Sequence, residues 1–351
     1  MSSTGVPLLA GTWLLGLSGF VAMDWLVISD WGATVLWALL APALMTMGIA
    51  VDAEEKAKAT IVASRVRKAM RRRELVLHYQ PEVNVGTGDV RLVEALVRWR
   101  HPRKGVIGPD DFVPQVERSR LVHRFNAYVL EEAVRQAAVW RRNGLTLRVA
   151  VNISPACLGP GLVLTVRRLL DQHALPAHLL ELEITECGAQ DLEADFERSV
   201  ETLSRFHELG VKISLDDFGT GQSSLGRLVA LPVDTLKIDR SFVIPMIEDE
   251  LSAEVVRTAI FLAHTAGLRV VAEGVETERH MQLLRQLGAD FAQGYGISRP
   301  MPAGDLVAWL DRRATGAAQL DDLARESQRA AEGRLPRPTR KSRVAQLRLV
   351  A

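Results

Sequence analysis

Cysteine and net charge are both scarce in this sequence of 351 residues, and each scarcity excludes a class of protein. Two cysteines, Cys157 and Cys187, are too few for a disulfide framework. We interpret both as packing residues of a protein that folds in a reducing compartment. A formal net charge of +1 gives no overall field that would attract a nucleic acid. We therefore expect no DNA or RNA polymer as a partner, and an anion must bind at a local cluster of charges.

Charged side chains are nearly absent from the first fifty-one residues, where Asp24 and Asp30 are the two exceptions. Two apolar runs, Val6–Ile28 and Trp31–Val51, each approach the ~20 residues that a helix needs to cross a bilayer. The sequence therefore predicts a two-helix transmembrane hairpin over residues 1–52. The alternatives are a cleaved signal peptide, which normally begins with basic residues that are missing here, and a buried hairpin of a soluble protein.

Basic residues follow the second apolar run, and none precedes the first. They are Lys56, Lys58, Arg65, Arg67, Lys68, Arg71, Arg72 and Arg73. The positive-inside rule then predicts a multi-pass protein of the inner (plasma) membrane with the rest of the chain in the cytoplasm. Residues 53–73 are predicted to form a basic linker helix with Val62, Val66 and Met70 along one side. Three roles are open for that helix: it transmits a signal from the membrane, it lies against anionic headgroups, or it caps the next domain.

Beyond Leu75, short β-rich runs alternate with longer amphipathic stretches, as in βα units around a parallel sheet. The eight candidate strands are Leu75–Gln80, Val90–Trp99, Leu147–Ser154, Leu180–Thr185, Val211–Asp217, Thr235–Asp239, Arg269–Val275 and Phe291–Ile297. Helical patterns fill spacers such as Asn126–Arg142, Asp195–Leu209, Ala253–Thr265 and Arg279–Leu287. This pattern predicts a (β/α)8 barrel over residues 74–316. Charged and small residues dominate residues 317–351, which are predicted to be a weakly ordered tail.

Polar side chains collect toward the carboxyl ends of the predicted strands, where barrel enzymes have their active sites. They are Glu94, Asn152, Glu183, Asp216, Asp217, Lys237, Glu273 and Gln293. A single carboxylate at a strand end commonly caps a helix or pairs with a surface base. Five carboxylates at one mouth, however, repel one another unless cations neutralise them. Hard oxygen ligands of this type favour Mg²⁺ or Mn²⁺ over zinc.

Short motifs occur in a fixed order between about Val66 and Trp309. They are His78-Tyr79-Gln80-Pro81, Glu94-Ala95-Leu96-Val97-Arg98-Trp99, Val151-Asn152-Ile153-Ser154, Glu183-Ile184-Thr185-Glu186, Asp216-Asp217-Phe218-Gly219-Thr220-Gly221, Lys237-Ile238-Asp239, Ala272-Glu273-Gly274-Val275-Glu276 and Gln293-Gly294-Tyr295. In order and approximate spacing they resemble the EAL domains, which are named for the Glu-Ala-Leu run. The resemblance implies a metal-dependent phosphodiesterase that opens cyclic di-GMP to the linear dinucleotide pGpG, and the apolar runs add the expectation that this member is anchored in the membrane.

The resemblance also implies a role for each residue of the predicted site. One metal ion would be held by Glu94, Asn152, Glu183 and Asp216, and a second by Asp216 and Asp217. Two Mg²⁺ or Mn²⁺ ions would then activate a water between them. The catalytic group would consist of Glu273 as base or second-metal ligand, Lys237 beside the attacking water, and Gln293 in the water-binding shell.

Substrate contacts are implied for Gln80 and Arg98, and less firmly for Asp239 and Glu276, which are equally explained as structural acids at strand ends. Glu186 resembles the acid that anchors the loop Asp216–Leu225 in the family. One departure occurs in that loop, where Gln222 replaces the usual tyrosine. The resemblance further implies a homodimer formed through the EAL domain.

Three functions are compatible with these residues. The first is an active cyclic di-GMP phosphodiesterase, and the second is a catalytically inactive EAL domain that binds cyclic di-GMP as a membrane receptor. The third is a barrel hydrolase of another phosphodiester, which would require another purpose for Gln80 and Arg98. Inactive members typically lack metal ligands or the base, and this sequence has all of them, so the pattern favours the enzyme.

Overall fold

The computed structural model describes residues 30–185, 196–219 and 230–315 of the chain. Several predicted features lie outside these ranges: the apolar run Val6–Ile28, Glu186, Gln222 and the tail 317–351. The chain divides into two compact units, Met1–Lys58 and Ala59–Ala351. Within the described ranges, we find no helix with a stretch that is both apolar enough and long enough to cross a membrane.

The first described element is a long helix, α1 (Asp30–Arg71). The second apolar run, Trp31–Val51, and the predicted linker helix 53–73 both lie in this one helix, up to Arg71. Neither proline nor glycine occurs between Gly48 and Arg71, so nothing in the chain interrupts the helical hydrogen bonds. The boundary between the two compact units falls inside this helix, after Lys58.

The carboxyl-terminal part of α1 packs on the barrel with the face that the sequence predicted. Val66 is fully buried, Ala63 and Ala69 are buried beside it, and Val62 and Met70 are partly buried against the same core. Ion pairs such as Lys58–Glu54, 2.7 Å apart, lie on the exposed side. Of the three roles considered for this segment, the structure supports the capping of the next domain.

The barrel is built from a ten-stranded sheet. Its strands are β1 (Leu75–Asn84), β2 (Val90–His101), β3 (Gly105–Ile107), β4 (Arg148–Asn152), β5 (Leu180–Thr185), β6 (Lys212–Phe218), β7 (Thr235–Ile238), β8 (Arg269–Ala272), β9 (Phe291–Ala292) and β10 (Met301–Pro302). The order is β10-β1-β9-β8-β7-β6-β5-β4-β2-β3, and an additional pairing of β1 with β2 closes the ring. Strands β3 and β10 lie outside that ring of eight. The predicted (β/α)8 barrel is therefore confirmed in its strand count and closure.

Strand β1 departs from the parallel arrangement, because it runs antiparallel to both of its neighbours in the ring, β2 and β9. Five residues, 85–89, connect β1 to β2. A parallel crossover needs a dozen or more residues, and a connection this short therefore permits only a hairpin. Asn84 Oδ1 accepts the backbone N–H groups of Gly86 and Thr87 at 3.0 and 2.8 Å and fixes the turn. The hairpin register sets Gln80 directly opposite Glu94.

Helices cover the outside of the barrel: α2 (Val113–Glu117), α3 (Val122–Arg142), α4 (Pro160–His173), α5 (Phe196–Leu209), α6 (Arg240–Val243), α7 (Glu250–Thr265), α8 (Glu278–Leu287) and the helical residues 303–315. The predicted helical spacers agree with α3, α5, α7 and α8 to within a few residues. Strands β8 and β9 end earlier than predicted, at Ala272 and Ala292. The backbone turns there, since Gly274 has φ +76° and the Val275 N–H donates to the Gln293 carbonyl at 2.9 Å.

Candidate active site

The parallel strands bring most of the predicted site residues to one end of the barrel. Glu183 lies in β5 next to Asn152 of β4, and Asp216 lies in β6 next to Thr185 of β5. Glu273 and Gln293 come directly after β8 and β9. Parallel strands end at the same edge, so strand-end side chains converge there.

Lys237 in β7 is the centre of the cluster, with a side chain that is 1% exposed. Its Nζ lies 2.7 Å from Glu273 Oε1, 2.9 Å from Glu183 Oε1, 3.4 Å from Asp216 Oδ1 and 3.9 Å from Glu94 Oε2. One ammonium cannot neutralise four carboxylates, so three negative charges remain in excess when all four are ionised. Excess charge in a buried position costs several kcal/mol unless further cations or protons compensate it.

Amide side chains hold Glu94 in place. Asn152 Nδ2 donates to Glu94 Oε1 at 2.6 Å, and Gln293 Nε2 donates to Glu94 Oε2 at 2.7 Å. Gln293 Nε2 also lies 3.1 Å from Gln80 Oε1, and Gln80 Nε2 donates to the Ser298 carbonyl at 3.0 Å. Asn152 and Gln293 use their side-chain nitrogens as donors to Glu94 and Gln80. The side-chain oxygens of Asn152 and Gln293 are therefore left for another partner.

Burial and mutual repulsion shift the pKa values of the carboxyls upward. Burial, together with the neighbouring carboxylates, raises the pKa of Glu183 well above its usual range and that of Asp216 as well, although Lys237 opposes both shifts. The same causes raise the pKa of Glu273 to about 8 and that of Asp217 to about 6. Glu273 therefore holds a proton at neutral pH unless a cation displaces it, and the raised pKa values of Glu183, Asp216 and Asp217 make these groups ionise less readily than exposed carboxyls.

Glu94 and Lys237 behave in the opposite way. Burial alone would raise the pKa of Glu94, but the Lys237 ammonium and the amides of Gln293 and Asn152 outweigh it and lower the pKa. Burial disfavours the Lys237 ammonium, yet the surrounding carboxylates raise its pKa well above the usual range. The pair therefore stays ionised at the centre of the cluster.

The donor set fits hard divalent cations. Asp216, Asp217 and Glu273 offer carboxylate oxygens that lie within 4.8 Å of one another. Neither carboxylate oxygen of Glu183 accepts an aligned hydrogen bond from the residues that the structure describes, although both are buried. Oxygen atoms alone make up this set, which is the chemistry preferred by Mg²⁺ and Mn²⁺. Asp217 has φ +57°, a left-handed conformation that aspartate tolerates better than most residues.

The remaining predicted residues lie near the cluster in different environments. Arg98 of β2 is half-buried, and its Nη1 donates to the Val97 carbonyl at 2.9 Å. Asp239 caps α6 by accepting the Ser241 N–H at 3.0 Å, which gives it the structural role that the sequence left open. Glu276 is exposed. Glu186 and the part of the loop after Gly219, up to Leu225, fall outside the described residues.

Two buried carboxylates, Glu82 and Glu181, were not among the predicted site residues. Glu82 is 3% exposed, and burial, followed by the nearby carboxylates, raises its pKa to about 8 despite the opposing Lys237. It lies in β1 two residues after Gln80, and alternate residues of a strand face the same side. That period-two spacing was the signal that could have placed Glu82 inside the barrel.

Comparison with known proteins identifies relatives for this fold and site. The sequence matches the family described as EAL domain over residues 63–300. It is 44% identical over 246 residues to the bifunctional diguanylate cyclase/cyclic di-GMP phosphodiesterase MucR of Pseudomonas aeruginosa, which covers 69% of this chain and 35% of that protein. It is 38% identical over 248 residues to the cyclic di-GMP phosphodiesterase PdeR of Escherichia coli, covering 70% and 37%. The chain thus spans about a third of the length of these relatives.

Solved structures also resemble the chain, among them the following two. The MucR phosphodiesterase in complex with c-di-GMP has a TM-score of 0.66 and 42% identity, covering 70% of this chain and 99% of that one. The EAL enzyme Bd1971 with cAMP and cyclic di-GMP bound has a TM-score of 0.68 and 30% identity, covering 80% and 76%.

Proposed function

The chain belongs to the EAL domain family, and we propose that it hydrolyses cyclic di-GMP to linear pGpG as a metal-dependent phosphodiesterase. The observation that carries the proposal is the buried cluster of four carboxylates around Lys237. A domain that only binds cyclic di-GMP has no need to collect so much excess negative charge at considerable cost. A hydrolase needs it to hold cations at the reacting phosphate.

The metal ligands in this proposal are Glu94, Asn152, Glu183 and Asp216 for one ion and Asp216 with Asp217 for the second. Bound Mg²⁺ or Mn²⁺ supplies a water of lowered pKa and neutralises charge on the phosphate. Asp216 serves both sites, so it carries the largest share of the metal binding. The amides of Asn152 and Gln293 keep Glu94 oriented, and their oxygens would be available to a bound ion and its water shell.

Glu273 is the proposed general base, with Lys237 as its positioning partner 2.7 Å away. The water oxygen adds to phosphorus while Glu273 takes the proton, the bond from phosphorus to the 3′ oxygen breaks, and that oxygen takes up a proton from solvent. Arg98 contacts a non-bridging phosphate oxygen through its planar guanidinium, and Gln80 contributes a second substrate contact. Asp239 and Glu276 are secondary substrate contacts in this scheme, with the capping bond of Asp239 unchanged.

Turnover of cyclic di-GMP by the purified full chain tests the proposal, with product separated by chromatography in the presence and absence of Mg²⁺. We expect Mg²⁺-dependent release of pGpG, and a loss of about 10²-fold or more in Glu273→Gln with substrate binding retained. The matched control is Glu278→Gln, an exposed acid in the first turn of α8. A wild-type chain that binds cyclic di-GMP without turning it over would instead be an inactive receptor.

We further propose that residues 1–52 anchor the chain in the inner membrane with the barrel in the cytoplasm. The support is the sequence itself: two apolar runs with Asp24 as the one charged residue within them and Asp30 between them, followed by a basic segment. A reporter fused to the carboxyl terminus should give a cytoplasmic signal, and a periplasmic signal would contradict the two-span arrangement.

Family resemblance supports two additional proposals, a homodimer formed through the barrel and a loop anchor at Glu186. Light scattering of the purified chain tests the first, and a monomer at all concentrations would refute it. For the second, Glu186→Ala should lower turnover while the circular dichroism spectrum stays unchanged. Unaltered turnover would remove that role from Glu186.

A further inference from the structure

A cavity of about 560 Å³ opens at the end of the barrel opposite the cluster around Lys237. Its lining includes the first residues of four parallel strands, Arg148 of β4, Thr235 of β7, Arg269 of β8 and Phe291 of β9. The proposed active site lies at the carboxyl ends of the same strands. Cavities of roughly 300–1,000 Å³ accommodate small organic ligands. Nothing in the proposed hydrolysis uses this end of the barrel.

The charges of the lining favour an anion. Three arginines, Arg91, Arg148 and Arg269, face two carboxylates, Glu82 and Glu181, so the net charge is at least +1 even when both acids are ionised. His178 also lines the cavity. An anionic ligand would therefore enter a positive field, whereas a cation would be repelled.

Arg148 and Arg269, two of the three arginines that line the cavity, have N–H groups that the described residues do not engage. Arg148 donates through Nε to the His178 carbonyl at 3.0 Å and through Nη1 to Glu181 Oε2 at 3.0 Å. Arg269 donates through Nη2 to Thr235 Oγ1 at 2.9 Å and lies 3.6 Å from Glu181. In the described part of the chain, Arg148 Nη2 and the Nε and Nη1 of Arg269 have no acceptor. Guanidinium groups fixed on one side by protein present their remaining N–H groups to an oxyanion.

Glu82 is the second observation that points to a ligand. Its side chain lines the cavity, is more than nine-tenths buried, and forms no hydrogen bond or ion pair with any residue in the described ranges. A buried carboxyl without a partner is costly, and such groups are normally hydrogen-bonded. Because burial raises its pKa to about 8, Glu82 carries a proton at neutral pH and can donate it to an anion.

Apolar groups form the rest of the wall. Leu92, Leu179, Val271 and Phe291 line the cavity, and the Arg269 guanidinium lies 5.9 Å from the centre of the Phe291 ring. We propose that this cavity binds a small organic anion, whose carboxylate or phosphate group contacts Arg148 and Arg269 and whose apolar body packs on Phe291. The alternative is that the charges only stabilise this end of the barrel, which is the usual role of the amino-terminal face.

Calorimetric titration of the purified full chain with phenyl phosphate, benzoate and inorganic phosphate separates these alternatives. EDTA in the buffer keeps metal-bound phosphate out of the opposite site. We expect saturable binding of phenyl phosphate or benzoate that is tighter than that of inorganic phosphate. The comparison of the first two probes tells whether a phosphate or a carboxylate is preferred. Saturable binding of none of the three would overturn the proposal.

Variants locate the binding. Arg148→Gln should weaken it by at least about tenfold, the effect of losing one hydrogen bond to a charged group. Thr146→Trp fills the exposed rim of the cavity without altering any charge and should abolish binding. Arg91→Gln removes one positive charge from a side chain that is 84% exposed, so it tests the contribution of the positive field to binding without disturbing the fold. The control is Arg257→Gln on α7, outside the cavity. Equal affinity in Thr146→Trp and in the wild type would refute the site. Binding that persists in Asp216→Asn would show that it is independent of the proposed hydrolase chemistry.

Discussion

Replacing Lys237 by methionine tests the electrostatic reasoning most directly. Methionine has a similar length and fills the same space, but it removes the one ammonium that the described residues place within 4 Å of Glu94, Glu183, Asp216 and Glu273. Breaking a buried ion pair by removing one partner costs about 3–5 kcal/mol. We therefore expect the metal-free variant to lose about that much of its free energy of unfolding near pH 7.5.

The loss should depend on pH with a definite sign. In the wild type, the raised pKa of Lys237 means that its ion pairs contribute stability below the ordinary lysine pKa and lose it only as the pH rises through the higher folded value. In the variant, the Lys237 ammonium no longer lowers the pKa of Glu94, so burial raises it, and the pKa values of Glu183, Asp216 and Glu273, already raised, rise further. Stability from a carboxyl with a raised folded pKa is present below its unfolded pKa and is lost as the pH rises through the folded value. The difference in the free energy of unfolding between the two proteins should thus be small near pH 4. It should grow by about 1.4 kcal/mol per pH unit for each additional proton that the folded variant retains.

Urea unfolding of both proteins in EDTA, followed by circular dichroism from pH 5 to pH 8, measures this difference. The control is Lys212→Met, which removes a 2.7 Å pair with Asp234 from a partly exposed position. It should cost no more than about 1 kcal/mol and show no such growth with pH. Mg²⁺ should then raise the stability of Lys237→Met more than that of the wild type, because the ion is not repelled by the Lys237 ammonium in the variant. A difference that stays constant across this pH range would refute the reasoning.

Three further substitutions test separate parts of the structure. Asp216→Asn should abolish Mg²⁺-induced stabilisation and turnover together, measured by thermal unfolding and nucleotide chromatography, and normal turnover would refute the shared metal ligand. Gly294→Ala places a Cβ 2.1 Å from the Val275 carbonyl oxygen and should cost more than about 3 kcal/mol in urea unfolding, whereas Gly304→Ala, with nothing within 4 Å, should be nearly neutral. Asp234→Asn should cost about 2 kcal/mol at pH 7, and the cost should shrink as the pH falls through the aspartate pKa, because burial raises that pKa less than the hydrogen bonds from Lys212 and His207 lower it; a cost that does not change with pH would refute this.

The site was predictable from the sequence to the extent that strand ends were predictable. Each of Glu183, Asp216 and Lys237 sits in a short β-rich run whose bounds the hydrophobic pattern located to within two residues. In a parallel barrel all such runs end at one mouth, so spacing along the chain was enough to predict convergence. The distances around Lys237 were not predictable in this way, because they depend on the closure of the ring by β1.

Other features depended on local geometry that a hydrophobic pattern does not record. The antiparallel direction of β1 follows from the short connection of residues 85–89, and the capping role of Asp239 follows from Ser241 two residues later. The early ends of β8 and β9 follow from Gly274 and Gly294, where two backbone segments approach too closely for a side chain. Glycine and asparagine positions therefore carried information that the apolar pattern missed.

The direction of β1 also explains why one barrel has polar groups at both ends. In a hairpin with β2, the strand runs from the proposed active site toward the opposite mouth, so Gln80 reaches Gln293 while Glu82, two residues on, lines the cavity beneath. A parallel β1 would carry its later residues toward the active site instead. The two buried side chains are thus joined by one rigid strand, and the carboxyl of Glu82 lies close enough to Lys237 and Glu273 for their charges to shift its pKa. The negative charge of an anion bound beside Glu82 would therefore act on the same buried cluster of carboxylates. Turnover of cyclic di-GMP, measured with and without phenyl phosphate, should change in the wild type and stay unchanged in Thr146→Trp.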